Sequence, residues 1–248
     1  MLEADELTSS RFAIKAARLV DLDVTAAALE DAAGAGGFEL AVARVDTGAL
    51  GAVHRLERAG FRLMDTLVYF CRLIPGAPVA TNENGASIRR ATGKDIETVG
   101  SIARKAFADY IGHFHADERL DNDLATDTYV DWAQNLVANV DESNPVFIAA
   151  EDKAVIGFLA ISDVGSGVAE IRLNAVHPDH QGRGAYANLL SRAIAFVAEA
   201  GDAELVVSTQ LDNYRVQRSW VRAGFTPQRS FYTFHKWFDA HARCSPDQ

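Results

Sequence analysis

The residues best suited to chemistry fall in one short stretch. Ala169–Ala185 reads AEIRLNAVHPDHQGRGA: an alternating strand, a turn broken by Pro178, then Gln181-Gly182-Arg183-Gly184 where an apolar helix pattern begins. Glycines at such a place let the backbone approach a ligand closely. The first-turn N–H groups of a helix point outward, and its dipole favours negative charge there. Together these features suit a phosphate. The stretch lacks the Lys-Ser/Thr of a nucleotide-hydrolysing P-loop and the G-x-G-x-x-G of dinucleotide folds. An ordinary tight connection would also use Gly-x-Gly. Glu170 lies on the strand before the turn and alternates with Arg172 and Asn174, which predicts that the three share one face. A carboxylate there could serve as a general base, or simply pair with Arg172.

Other reactive side chains are scattered. His113-Phe114-His115 places two imidazoles on one face if extended, but no third ligand is near in sequence, so a surface loop or pocket wall is the better reading and no metal is expected. Tyr110, Phe114, Tyr129 and Trp132 could form an aromatic wall for an acceptor, or pack two helices together. Asn213 suits a helix N-cap. Cys71 reads as core packing, and Cys244 lies in the tail.

These side chains need elements to hold them. Thr92 and Asp95 suggest a capping box, followed by a helix with Ile96, Val99, Ala103, Ala106 and Phe107 at helical spacing. Asn122–Asn139 reads as a second helix. Val146–Ala150 and Ala154–Ser162, joined by Glu151-Asp152-Lys153, read as a hairpin. Val168–Val176 is the next strand, and Ala185–Ala200 a helix stopped by Gly201. Pro75-Gly76-Ala77-Pro78 and Thr81–Gly85 form a turn-rich stretch that predicts a boundary. It separates a domain over 1–80 from one over 87–248. The halves share a fragment, Arg58-Ala59-Gly60-Phe61 and Arg222-Ala223-Gly224-Phe225, each after a strand and a short helix and before an aromatic strand. The pattern fits a duplicated unit, although such an ending is also a common helix stop.

Composition narrows the classes. The chain has 248 residues, 48% hydrophobic and 23% charged, which is ordinary globular content. The formal net charge of −10 argues against broad binding to nucleic acid or anionic membranes. No apolar run reaches the roughly 18 residues of a membrane span. The start, Met1-Leu2-Glu3-Ala4-Asp5-Glu6, is acidic where a signal peptide is basic. With two cysteines only, a reducing cytoplasm is the simplest expectation.

Leu173–Leu190 resembles motif A of the GNAT acyltransferases, an apolar strand, Val-x-Pro, then Gln/Arg-x-x-Gly-x-Gly/Ala. Val176-His177-Pro178 and Gln181–Gly184 follow it in order and spacing, and Asn213 with Gly224-Phe225 resembles the family's later Asn…Gly-Phe segment. The resemblance covers about residues 87–238. It implies an α/β (α+β) fold with a central mixed β-sheet flanked by helices. The 1–80 half would be a truncated copy without a phosphate loop. It implies acetyl-CoA as co-substrate, with Ala175 and Val176 beside the pantetheine arm. Gln181, Gly182, Arg183, Gly184 and Ala185 would hold the pyrophosphate, and Asn213 would bond the cofactor. Tyr186 stands where the family usually has Gly or Ala, so a phenol is expected near the cofactor. The family's usual acid, a Tyr seven residues after the Asn, is replaced by Trp220. Tyr214, Tyr186, Tyr232 or water would then protonate the thiolate, with Tyr214 the first choice and Glu170 the base. The layout, with Tyr129, Trp132 and Asn135 one helical turn apart, resembles family members that acetylate nucleotide-linked amino sugars. This makes Tyr110, Tyr129 and Trp132 acceptor-side candidates. A small-molecule primary amine is thus the expected partner, with a monomer or homodimer as the assembly. The alternatives are a protein or peptide amine, and a non-catalytic acyl-CoA-binding module.

Overall fold

The computed structural model describes residues 1–74 and 85–238. The expected boundary at Pro75–Asn84 and the tail with Cys244 lie outside the described residues. The chain divides into two compact units.

The first unit contains Met1–Leu67, Ile111–Ala125 and the chain from Arg229 onward. Its elements are β1 (Leu2–Ala4), α1 (Glu6–Phe12), β2 (Ala16–Leu19), α2 (Ala26–Gly36), β3 (Leu40–Asp46), α3 (Leu50–Arg58), the start of β4 (Arg62–Leu73) and most of β10 (Thr226–Trp237). β1 and β2 pair antiparallel, β2 and β3 parallel, and β10 returns antiparallel along β3, with Phe231 opposite Asp46 and Trp237 opposite Leu40. One face buries Leu29, Val53, Leu56, Phe61 and Phe234. The opposite face buries Phe12, Leu40, Leu120 and Ala125, with Phe114 and Trp237 against them. Gly60 ends α3 region with φ +84°, the left-handed stop expected there.

This unit does not follow the 1–80 division. The return of β10 to β3 and the apolar side chains of 111–125 fold those later segments into it, because an isolated N-terminal sheet would leave both faces of β3 short of cover.

The second unit contains Val68–Tyr110 and Thr126–Gln228. Its elements are the end of β4, β5 (Ser87–Arg90), α4 (Ile96–Ala106), most of α5 (Asn122–Ala138), β6 (Val146–Glu151), β7 (Ala154–Asp163), β8 (Val168–Val176), α6 (Ala185–Ala200), β9 (Glu204–Gln210), α7 (Tyr214–Arg222) and the start of β10. Its strands lie in the order β4-β9-β8-β7-β6-β5. Pairing is antiparallel from β5 to β8 and parallel between β8 and β9. Helices cover both faces. Leu189, Ala193, Val197 and Trp220 pack with Phe147, Leu159 and Ile171 on one side. Val99, Ala103, Val130 and Val137 pack with Ile148, Phe158 and Leu173 on the other.

Local signals account for these elements. The Thr92 box forms, with Asp95 Oδ2 accepting from Thr92 N at 2.8 Å. Arg89 Nη2 adds a donor to Asp95 at 2.6 Å. That bond, opposed by burial and aided by Thr92, pulls the Asp95 carboxyl down to about 2. Cys71 is buried as expected. Burial first, then the bond to Glu204, pushes its thiol up to about 12. No helix among the described residues is long and apolar enough to cross a membrane.

Candidate active site

The site is built around the way β8 leaves its neighbour. The parallel ladder with β9 runs only from Val168–Ile171 against Glu204–Val207, while β8 continues to Val176 and β9 to Gln210. Beyond that point backbone groups of both strands face an opening that the ladder does not satisfy. β7 holds the other edge of β8 through to Val176 opposite Gly157. A Cβ on Gly157 would lie 2.9 Å from the Ala175 carbonyl oxygen, so only glycine allows this approach.

β8 also carries a bulge. Ile171 pairs with Ile161 and Leu173 with Ala160, leaving Arg172 as an extra residue. The bulge changes which face each side chain meets. Ala169, Ile171 and Val176 belong to the α6 side, whereas Leu173 and Ala175 belong to the α4–α5 side. Glu170 and Asn174 therefore lie on opposite faces. The single face expected for Glu170, Arg172 and Asn174 is corrected, because strict alternation fails at an inserted residue. Arg172 Nη1 donates to Glu170 Oε2 at 2.8 Å, and its guanidinium lies 5.8 Å from the Trp132 ring centroid. Glu170 Oε1 remains as an acceptor.

The turn after β8 is held by named bonds. His177 N donates to the Ile156 carbonyl at 2.8 Å, and Gln181 N to the Pro178 carbonyl at 3.2 Å. Gln181 Nε2 donates to the Val176 carbonyl at 3.0 Å, and Arg215 Nη1 donates to Gln181 Oε1 at 2.5 Å. Gln181 thus ties the loop to the strand and to α7. Gly182 and Gly184 have φ of +79° and +93°, and α6 begins at Ala185 with no side-chain cap. A Cβ on Gly184 would meet nothing within 4 Å. The exposed loop Gln181–Gly184 therefore leads into first-turn amides that are open to an anion. Asn188 anchors this helix turn by donating to the Ala86 carbonyl at 3.2 Å. Lys105 Nζ lies 3.1 Å from His177 Nε2, and neither this contact nor the Asn188 anchor was apparent from local sequence.

The remaining candidates separate. Trp220 is 1% exposed, packs edge-on to Phe70 with ring centroids 5.4 Å apart, and donates Nε1–H to Tyr186 Oη at 2.6 Å. Burial pushes the Tyr186 phenol well above the usual tyrosine range, opposed by the Trp220 bond. Tyr186 and Trp220 thus form one buried pair. Tyr214 opens α7 and is 60% exposed. Asn213 caps α7, accepting from Val216 N at 3.4 Å, and donates to Thr209 Oγ1 at 3.0 Å. Tyr110 and Tyr129 meet edge-on at 5.4 Å, and Phe107 stacks on Tyr129 at 4.7 Å. Both tyrosines and Trp132 pack against the α4–α5 core. Trp132 is joined, through Arg172, to Glu170. Tyr232 and His113 belong to the first unit. Among the described residues no group of three or more His, Cys, Asp or Glu side chains could hold a metal ion.

Residues 107–225 match the model of the "Acetyltransferase (GNAT) family". The chain is 29% identical over 145 residues to spore coat polysaccharide biosynthesis protein SpsD of Bacillus subtilis (strain 168), a match covering 58% of this chain and 48% of that protein. The chain thus spans about half the length of that relative. It is 24% identical over 195 residues to dTDP-fucosamine acetyltransferase of Escherichia coli O6:H1, covering 79% of each. The structure of a GCN5-related N-acetyltransferase from Sphaerobacter thermophilus superposes with a TM-score of 0.60 at 15% identity, covering 80% of this chain and 59% of that one. This last likeness is one of fold.

Proposed function

Residues 107–225 match the acetyltransferase (GNAT) family, and on that premise we propose that the chain moves an acetyl group from acetyl-CoA to a primary amine. The observation that carries the reading is the divergence of β8 from β9 leading into the Gln181–Gly184 loop and the uncapped start of α6. The diverging strands offer backbone groups to a pantetheine arm along Ala175 and Val176. The Gly182, Arg183, Gly184 and Ala185 backbone and the α6 dipole suit a pyrophosphate. Gln181 acts by fixing the loop, since its side chain is spent on Val176 and Arg215.

In the transfer, the neutral amine attacks the thioester carbonyl carbon and forms the new C–N bond. The C–S bond then breaks and CoA leaves as thiolate. Glu170 Oε1 takes the amine proton, directly or through water. Arg172 fixes the Glu170 carboxylate through its bond to Oε2. Trp132, stacked by Arg172, offers an aromatic face beside the base. The thiolate is protonated by Tyr214 or by water, since Trp220 and Tyr186 are bonded to each other.

The preferred acceptor is an amine on a nucleotide-linked amino sugar. The names of the two relatives, one acting on dTDP-fucosamine and one in polysaccharide synthesis, support this class. In chain order the first 80 residues would be the truncated copy, without a phosphate loop, and 87–248 the complete one, although the compact units cut across this division because 111–125 and the chain from Arg229 belong to the first. A thiol-release assay with acetyl-CoA across sugar-nucleotide amines and peptide amines tests the reading. Turnover with the sugar nucleotides is expected. Turnover with peptides alone would replace the acceptor. CoA binding without turnover on any amine would favour a non-catalytic module, the reading to which the buried Trp220 points.

A further inference from the structure

Arg215 stands at the loop that leads into α6, although it comes from α7. Its Nη1 donates to Gln181 Oε1 at 2.5 Å. Its Nη2 would lie 3.9 Å from a Cβ on Gly182. The guanidinium therefore flanks the loop where Gly182, at φ +79°, carries no side chain. Gln181 is tied at its other end, donating Nε2–H to the Val176 carbonyl at 3.0 Å. A carbonyl only accepts and a guanidinium only donates, so the Gln181 amide has one orientation. The end of β8, the loop glutamine and the arginine thus form one line of bonds.

The backbone beneath Arg215 is fixed as well. Arg215 is the second residue of α7, and Asn213 is the cap. Asn213 accepts from Val216 N at 3.4 Å and donates to Thr209 Oγ1 at 3.0 Å, which sets the first turn of α7 against the end of β9. Gln217 adds bonds from Nε2 to the Gln210 and Leu211 carbonyls, at 3.2 and 2.8 Å.

Arg215 is exposed, and no carboxylate pairs with it among the described residues. Asp179, close to the loop in sequence, lies by His177 instead, 3.7 Å from its Nδ1. A clamp on Gln181 uses one donor of a planar fork that carries several. Nη2 and the charge are left over beside amides that suit an anion. Arginine holds phosphate through such a fork. In a chain of net charge −10, a cation without a carboxylate partner reverses the mean field locally.

We propose that Arg215 is a cofactor-binding residue supplied by α7, whose Nη2 donates to the diphosphate of acetyl-CoA on the Gly182 side of the loop while Nη1 stays on Gln181. This assignment rests on the acetyl-CoA reading of the loop, and adds a side-chain charge where that reading uses backbone groups. Gln181 then has a second duty, since it holds the guanidinium in place before the cofactor arrives and so lowers the cost of ordering it.

Calorimetry on the full chain with CoA and with 3′-dephospho-CoA reads this from binding alone. Both ligands carry the diphosphate, so Arg215→Gln should weaken both by about tenfold or more, the loss of a bond to a charged group. Arg215→Lys keeps the charge but not the fork, and should fall between. Arg218→Gln removes the same charge one helical turn further along α7, from another exposed side chain, and should change affinity by less than about twofold. In a Gln181→Met background, Arg215→Gln should still weaken CoA binding, because the phosphate contact does not pass through Gln181.

Unchanged affinity in a folded Arg215→Gln protein overturns the assignment. An equal loss in Arg218→Gln also does, since it would mark a general field. A loss confined to CoA would move Arg215 to the 3′-phosphate and overturn the diphosphate contact. No further loss in the Gln181→Met background would reduce Arg215 to a clamp on the loop. These outcomes leave the acetyl-CoA reading standing, whereas an unaltered chain that binds neither ligand would remove that reading and this one together.

Discussion

Glu170 carries a clear kinetic expectation because its two oxygens have different company. Oε2 is bonded by Arg172, which leaves Oε1 for the amine. Glu170→Gln keeps the shape and removes the proposed base. We expect kcat to fall by about 10²–10⁴-fold, the usual span for general acid–base catalysis, with acetyl-CoA affinity little changed. Steady-state kinetics beside calorimetry check both halves, and full activity at every pH would exclude Glu170 as base. The Trp220–Tyr186 pair predicts a structural effect instead. Tyr186→Phe leaves the Trp220 Nε1–H buried and unmet, which should cost about 1–3 kcal/mol of stability in urea unfolding. Its pH–rate profile should keep the alkaline limb. Loss of that limb in Tyr214→Phe would identify the exposed phenol as the acid.

At the scale of elements, the start of α6 and the entry to α4 each depend on a few groups. Gly184 has φ +93° and open space beyond its Cα. Gly184→Asp would set a carboxylate where the helix start suits an anion, in a backbone region that side chains disfavour. Loss of acetyl-CoA binding in a folded variant is expected by calorimetry, and unchanged affinity would remove the loop from the cofactor site. The Asp95 cap gives a pH dependence. Its folded carboxyl titrates near about 2, below the ordinary value for an unfolded aspartate. Its contribution is therefore present above about pH 4 and is lost as pH falls toward 2, amounting to about 1–2 kcal/mol with Arg89 half exposed. Asp95→Asn should flatten that part of the stability–pH curve, read from urea midpoints.

For the whole chain the prediction is one acetyl-CoA bound per molecule. Helix starts in the first unit are differently furnished. Asp5 caps α1 and Thr25 caps α2, accepting from Thr8 N at 3.1 Å and Ala28 N at 3.2 Å. The turn before α3 carries Asp46, which would repel a phosphate. None of them presents open first-turn amides behind left-handed glycines, as α6 does. Equilibrium binding should give a stoichiometry of one, and a value of two would contradict it. The net charge of −10 makes such local arrangements necessary, since the mean field repels an anionic cofactor.

Local patterns by themselves determined much of the second unit. The strand Val168–Val176 and the helix Ala185–Ala200 begin and end where alternation, Gly184 and Gly201 indicate, because each signal lies within a few residues of the element it governs. The loop glycines were legible for the same reason. The tertiary structure alone decided the rest. The Arg172 bulge, which separates Glu170 from Asn174, arises from pairing with Ala160 and Ile161 on β7, and an inserted residue leaves no mark on the strand's own alternation. The inward turn of Tyr186 depends on Trp220, 34 residues away. The Asp117–His235–His113 chain joins groups up to 122 residues apart. His113-Phe114-His115 was conspicuous as a motif, but its partner His235 lay on β10, and only the packing of the 111–125 segment with that strand brought the imidazoles together. Side chains that meet across such separations are chosen by packing, and packing is a property of the folded chain.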